Sequence, residues 1–304
     1  MIKYLIFFIC VSCIINCSKN TSEIKIFTGP QGGAWYPIGG SFKKFIENEN
    51  NIKVKVFPGA GISNIIAVEK KKADFAITNS VSTYAAVNGI EPFKKKYNNI
   101  CNLITLYPQY FQLITTDLNI NEVSDLKNKS FTGQKYGSTA EEVTRLILKF
   151  NNLAYDDFAK VNYGSYTDSV TLLKDKHAQI FSLGTTIPAS SITEIASTLS
   201  YKFININDSD IKRLQEYNQG FLETIIPANT YKNQDKNIRT VGYFTHVICR
   251  CDEKEENVVL FLNSIKKNIN QLRNFSNSME NLNLKTLSKE LFIPTHKIVE
   301  SELK

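Results

Sequence analysis

The chain has 304 residues, a formal charge of +7, 42% hydrophobic and 21% charged residues. This composition excludes a disordered chain, and the length suffices for two lobes. The cations are scattered. The longest runs, Lys70–Lys72 and Lys94–Lys96, fall at expected helix ends, and the basic stripe of a nucleic-acid binder is missing.

The chain begins with a short charged segment, Met1–Tyr4, then an apolar run from Leu5 to Ile15 that is too short to span a bilayer as a helix. It ends at Ile14-Ile15-Asn16-Cys17, which resembles the lipobox of bacterial lipoproteins, with Asn16 where Gly or Ala is usual. Residues 1–17 are expected to be a lipoprotein signal with Cys17 the lipidation site, and 18–22 a polar tether. The expected protein is anchored to a membrane rather than spanning it.

Glu23 to Thr28 alternates as a strand, and a Gly-rich loop follows. Pro37 suits the first turn of a helix whose apolar face is Ile38, Phe42, Phe45 and Ile46. Lys53 to Phe57 predicts a second strand, stopped by Pro58-Gly59, and a helix begins near Ile62 with Ser63 or Asn64 at its cap. Phe75-Ala76-Ile77 predicts a buried strand, with a helix from Ser80. Together these make a βαβαβ unit with a parallel sheet. Its three donor-rich turns, Thr28–Pro37, Pro58–Asn64 and Thr78–Ser80, lie along one sheet edge, where open α/β sheets hold ligands.

Leu103 to Thr116 predicts a strand that leaves the first lobe. A short helix (Val123–Lys129), a strand (Ser130–Thr132), a turn at Gly137-Ser138-Thr139-Ala140 and a helix (Glu141–Phe150) follow. Tyr166 to Asp175 predicts a helix and Ile180 to Leu183 a strand, before Gly184-Thr185-Thr186 and a helix opened by Pro188. Arg239 to Arg250 is an extended run expected to return to the first lobe. Asn257 to Phe275 is expected to be helical, as is Leu282 to Leu303 with a break at Pro294. Two α/β lobes joined by two crossing strands make a clamp with a cleft. The expected lobes are 23–108 with 244–304, and 109–243.

Of six cysteines, three lie at or before position 17. Cys101, Cys249 and Cys251 are read as small buried apolar residues, with a bridge from Cys101 to either of the others left open. Nothing near them completes a zinc site.

Several segments, in order and at matching spacing, resemble the TAXI-type solute receptors of tripartite ATP-independent periplasmic (TRAP) transporters. They are Gly32–Gly40, Gly59–Ile65, Lys72–Ser80, Gly137–Glu141, and Ile226-Pro227, Tyr231, Gln234-Asp235 and Thr240–Gly242. Asn79 replaces a common Gln, Trp35 a Tyr, Thr139-Ala140 a Gly-Thr pair, and Thr186 a common Gly. The resemblance implies a two-lobed, type II periplasmic-binding-protein-like α/β clamp with a central cleft and two crossing hinge strands. It implies no catalysis, no cofactor and no metal. It further implies a monomer that takes a small carboxylate of the glutamate, glutamine, 2-oxo or dicarboxylic acid class to an ion-gradient-driven permease, outside the cytoplasm.

No Arg falls in the candidate loops, so backbone N–H groups at helix N-termini would hold the carboxylate. The candidate contacts are Gly33, Ala34, Trp35, Tyr36, Gly61, Ser63, Asn79 and Ser80 on one side, and Gly137, Ser138, Thr139, Gly184 and Thr185 on the other. Trp35 reads equally as a core or hinge wedge. Ser63 reads first as a helix cap, Asn79 as cap or contact, and Ser138 as a contact. Two rivals share parts of this reading: the binding protein of an ATP-driven importer, and a surface lipoprotein with an interaction role only. A hydrolase would want a nucleophile elbow and a dinucleotide enzyme a G-x-G-x-x-G turn, and neither is present.

Overall fold

A computed structural model describes residues 23–29, 34–135 and 137–303. The elements run β1 (Glu23–Phe27), α1 (Trp35–Glu49), β2 (Lys53–Phe57), α2 (Gly61–Glu69), β3 (Phe75–Asn79), α3 (Ser80–Asn88) and the long β4 (Cys101–Thr115). Next come β5 (Ser130–Gly133), α4 (Thr139–Phe150), β6 (Lys160–Tyr163), α5 (Tyr166–Lys174), β7 (Ile180–Thr185), α6 (Ser190–Thr198), β8 (Lys202–Phe203), α7 (Asp208–Tyr217) and β9 (Leu222–Ile226). The chain ends with β10 (Ile238–Cys249), α8 (Glu255–Lys267), α9 (Ile269–Arg273), α10 (Leu284–Leu287) and α11 (Ile298–Leu303).

The strands form one path, β2-β1-β3-β10-β4-β7-β5-β6, with β8 on β4 and β9 on β10. β1 runs parallel to β2 and β3, and β5 parallel to β6 and β7. Between these parallel blocks run β4 and β10, antiparallel to each other. Each changes partner partway. β10 pairs with β9 over Ile238–Gly242 and with β3 over Thr245–Cys249, while β4 meets β7 only from Tyr110 onward. Two strands shared between two parallel blocks make the two-lobed clamp, with Pro108 opposite Phe244 and a register shift after Thr245 at the crossing.

Helices cover both faces of each block. In the first, Phe261 of α8 packs on Phe42 and Phe75, with ring centroids 5.3 and 4.6 Å apart, while Ile65, Val68 and Ile248 fill the opposite face. In the second, Val143 and Ile147 of α4 pack with Phe131, and Ile192 and Ile195 of α6 with Phe181. Val81 of α3 joins the Phe131 cluster, so this helix packs across the lobe boundary.

Three expectations change. α2 starts at Gly61, and Asn64 is not its cap. Asn64 is buried and its Nδ2 donates to Thr28 O and Ile77 O, both at 2.7 Å, fastening α2 to β1 and β3. The helix expected over 257–275 breaks at Asn268, whose Nδ2 caps back to Ser264 O. The three cysteines are not all free: Cys101 bonds Cys251, while Cys249 stays buried as a thiol. Cys249 is the register partner of Cys101, but it packs into the Phe75–Phe261 cluster, and the turn after it brings Cys251 to Cys101.

Candidate functional site

A cavity of about 320 Å³ lies where the two blocks meet. Its wall draws on the first residues of four helices: Ala34 and Trp35 at α1, Ala60 to Ile62 at α2, Asn79 and Ser82 at α3, and Ser138 and Thr139 at α4. A helix start leaves N–H groups without intrahelical partners and carries partial positive charge. The caps engage only some of these groups. Asn79 Oδ1 accepts from Ser82 N at 2.9 Å, and Ser138 Oγ from Glu141 N at 3.3 Å. Gly137 has φ +82°, a left-handed conformation that suits glycine, and this turn presents Ser138 and Thr139 to the cavity.

The rest of the wall comes from the crossing strands and the second block: Tyr107 and Gln109 of β4, Tyr243 of β10, Gly184 and Thr185 of β7, Thr186, Gln134 and Tyr166. Tyr166 donates to Gly184 O (2.9 Å) and accepts from Gln134 Nε2 (2.6 Å). Gln109 Nε2 donates to Thr245 Oγ1 at 2.7 Å. The Tyr243 hydroxyl sits where a side chain on Gly184 would be, 2.1 Å from an ideal Cβ, so only glycine leaves that ring its place. Tyr243 is 2% exposed and lines the cavity. Burial pushes the Tyr107 hydroxyl up to about 12, partly offset by Thr245 and Trp35, and burial raises Tyr166 and Tyr243 further. All three remain O–H groups near neutral pH.

Of the sequence-expected contacts, the structure brings Ala34, Trp35, Gly61, Asn79, Gly137, Ser138, Thr139, Gly184 and Thr185 to this one cavity. Gly33 and Cys17 lie outside the described residues. Tyr36, Ser63 and Ser80 are not in the wall. Ser63 Oγ is used locally, donating to Ala60 O and accepting from Ala60 N, both at 3.0 Å. Ser80 Oγ points to the crossing, donating to Gly220 O (2.7 Å) and accepting from Phe244 N (3.0 Å). Asn218 Nδ2 donates to Val81 O nearby at 3.0 Å, so α3 is tied to the segment between α7 and β9. Asn79 also reaches across, its Nδ2 donating to Thr139 Oγ1 at 3.0 Å.

Tyr107, Gln109, Gln134, Tyr166 and Tyr243 escaped the sequence reading. All but Gln134, which follows β5, stand in strands or at a helix start whose apolar pattern signals core. Gln109 and Gln134 gave the only hint, as polar residues inside or beside strands.

Behind the cavity, buried His246 takes part in a network rather than a site. Asn102 Nδ2 faces Thr105 Oγ1 and Lys289 O, which turns Asn102 Oδ1 toward His246 Nδ1 (2.8 Å), while His246 Nε2 meets Thr83 Oγ1 (2.8 Å). Burial lowers this imidazole to about 3 and keeps it neutral. Among the described residues no group of three or more His, Cys, Asp or Glu could hold a metal ion, and no helix is long and apolar enough to cross a membrane.

Two of the following solved structures, with TM-scores above 0.5, share the fold. PhnD1 from Prochlorococcus marinus, in complex with methylphosphonate, is 13% identical with a TM-score of 0.55, over 86% of this chain and 92% of that one. A protein from Bordetella bronchiseptica RB50 is 13% identical with a TM-score of 0.52, over 90% and 85%. The alkanesulfonate-binding protein SsuA from Xanthomonas axonopodis pv. citri, bound to MOPS, is 13% identical with a TM-score of 0.44, over 93% and 83%. No curated protein matches significantly. The sequence model of the NMT1-like family matches residues 26–298, nearly the whole described chain, and the protein belongs to that family.

Proposed function

We propose that this chain is an extracytoplasmic, lipid-anchored solute receptor that binds a small carboxylate and delivers it to an ion-gradient-driven TRAP permease, without catalysis. One observation carries the reading: a cleft between the lobes, walled by the first turns of four helices. Such starts hold anions through backbone N–H groups and need no Arg. The fold supports capture by closure, because ligand touching both blocks favours the state in which both sets of contacts exist. The TAXI-like motifs of the first block and Cys17 support the permease and the anchor.

The binding protein of an ATP-driven importer is the alternative. It gains weight from the same fold, one solved example of which holds methylphosphonate.

A thermal-shift panel tests the reading: carboxylates, methylphosphonate, sugars and divalent metals against the purified chain. A ligand at a hundredfold its Kd stabilises by about 2.7 kcal/mol. The expected result is a carboxylate shift that Ser138→Ala diminishes. That variant also loses a cap worth ~1 kcal/mol, so the comparison is of ligand-induced shifts and not of absolute Tm. A methylphosphonate response without a carboxylate response would refute the carboxylate ligand class. Shifts with sugars or metals alone, or turnover of ATP, would refute the receptor of carboxylates. Co-purification with a permease tests the partner.

A further inference from the structure

The cavity wall contains no Asp, Glu, Lys, Arg or His among the described residues. Glu141, next in sequence to the wall, is held against it through Gly137 and is paired with Arg145. Glu141 accepts from Gly137 N at 3.3 Å and faces Arg145 at 3.7 Å, and neither Glu141 nor Glu142 lines the cavity. A ligand's negative charge meets four helix starts there. A ligand's ammonium would meet those same starts, which repel cations, and no carboxylate in the wall, Glu141 behind Gly137 being paired with Arg145.

The remaining wall is largely ring and aliphatic surface: Trp35, Ile62, Tyr107, Tyr166 and Tyr243. Tyr243 lines this wall, and burial keeps its hydroxyl protonated. It stands as a donor ready for an acceptor atom on the ligand. An oxo or hydroxyl oxygen, or a carboxylate, satisfies it. An ammonium, which only donates, leaves it less well served.

We propose that the cavity selects a carboxylate with an apolar body and no ammonium group, a branched or aromatic 2-oxo or 2-hydroxy acid, over the amino acid of the same skeleton. This rests on the receptor reading above and narrows its ligand class away from glutamate and glutamine. The volume, near 320 Å³, lies at the small end of ligand pockets, which run from about 300 to 1,000 Å³, and suits one such acid.

Isosteric pairs isolate the ammonium: phenylpyruvate against phenylalanine, 2-oxoisocaproate against leucine, 2-oxoglutarate against glutamate, titrated calorimetrically into the purified chain. Choline serves as a cation control, because rings alone can hold a quaternary ammonium. The expected outcome is at least a hundredfold preference for the oxo member of each apolar pair, with 2-oxoglutarate weaker than both apolar oxo acids and no response to choline. Gln109→Glu introduces a carboxylate into the wall and replaces the donor to Thr245 Oγ1 with an acceptor for the Thr245 hydroxyl, so it should erode that preference at least tenfold. An amino acid binding within tenfold of its oxo partner, or tighter choline binding, overturns the exclusion of ammonium while leaving the receptor reading intact. A preference for 2-oxoglutarate overturns the apolar body. Silence from every anion overturns the receptor reading and this inference with it.

Discussion

Asn79→Asp separates the fold from the binding chemistry at one position. Asn79 is 3% exposed, caps α3 through Oδ1, and lines the cavity. Aspartate caps as well as asparagine and suits a helix start, so folding stability should change by no more than about 1 kcal/mol. An Asp oxygen can still accept from Thr139, replacing the bond that Asn79 Nδ2 donates. What changes is the charge of the cavity. For a ligand anion about 5 Å away at an effective dielectric of about 20, the repulsion is ~3 kcal/mol, about 200-fold in affinity. Burial raises the pKa of a new carboxyl, so the loss should be largest at pH 8 and shrink as pH falls. Calorimetry at pH 8 reads the affinity, and denaturant melts confirm the fold. Asn79→Ala provides the contrast: it forfeits the cap, at ~1 kcal/mol of stability, without adding charge, and should weaken binding far less. A folded Asn79→Asp protein that binds its carboxylate with unchanged affinity at pH 8 would refute the claim that an anion sits at the α3 start.

Three further predictions concern the frame around the site. His246 is held neutral by burial, with its pKa near 3 against 6.5 in the unfolded chain, so the unfolded state binds the extra proton between those values. Stability should be full above pH 6.5 and fall as pH drops toward 3, by at most ~1.4 kcal/mol per unit. Denaturant melts across that window should show this slope flattened in His246→Gln, and an identical slope would count against it. Burial raises Glu142 to about 7, with Glu141 and Glu91 adding and Arg145 opposing, so the folded state binds the extra proton between pH 4.5 and 7. That stabilisation is complete below 4.5 and lost as pH rises through 7, so Glu142→Gln should be near neutral at pH 4 and raise Tm at pH 8; a lower Tm at pH 8 would overturn it. The Cys101–Cys251 bond closes a separation of 150 residues, worth up to ~5 kcal/mol by loop entropy, so Cys101→Ser or reductant should lower Tm clearly. An unchanged Tm would show that the bond does not hold the folded state.

Much of the frame was legible in the chain because its signals are local. The strand–turn–helix rhythm of 23–88 follows from alternating and helical apolar spacings, and Asn79 announces a cap by residue type, whereas Ser138, read as a contact, also caps α4. β6, β8, α7 and β9 were not read. The three strands are short and partly exposed, and the polar α7 buries only Ile211 and Leu214 as apolar residues.

The sequence by itself determined which turns carry donors, where most helices start, and that two long extended runs return between lobes. It could do so because turn chemistry and periodicity act over a few residues. Tertiary structure alone decided which of those donors share a cavity. Ser80 was drawn off to Gly220 and Phe244, and Ser63 to its own helix start, while Tyr107, Tyr166 and Tyr243 were brought in from segments that read as core. It also chose Cys251 over the register partner Cys249 for Cys101. The physical reason is common to all of these: partners are set by how distant strands cross, and a side chain's neighbours across 100 residues leave no trace in the spacing around it.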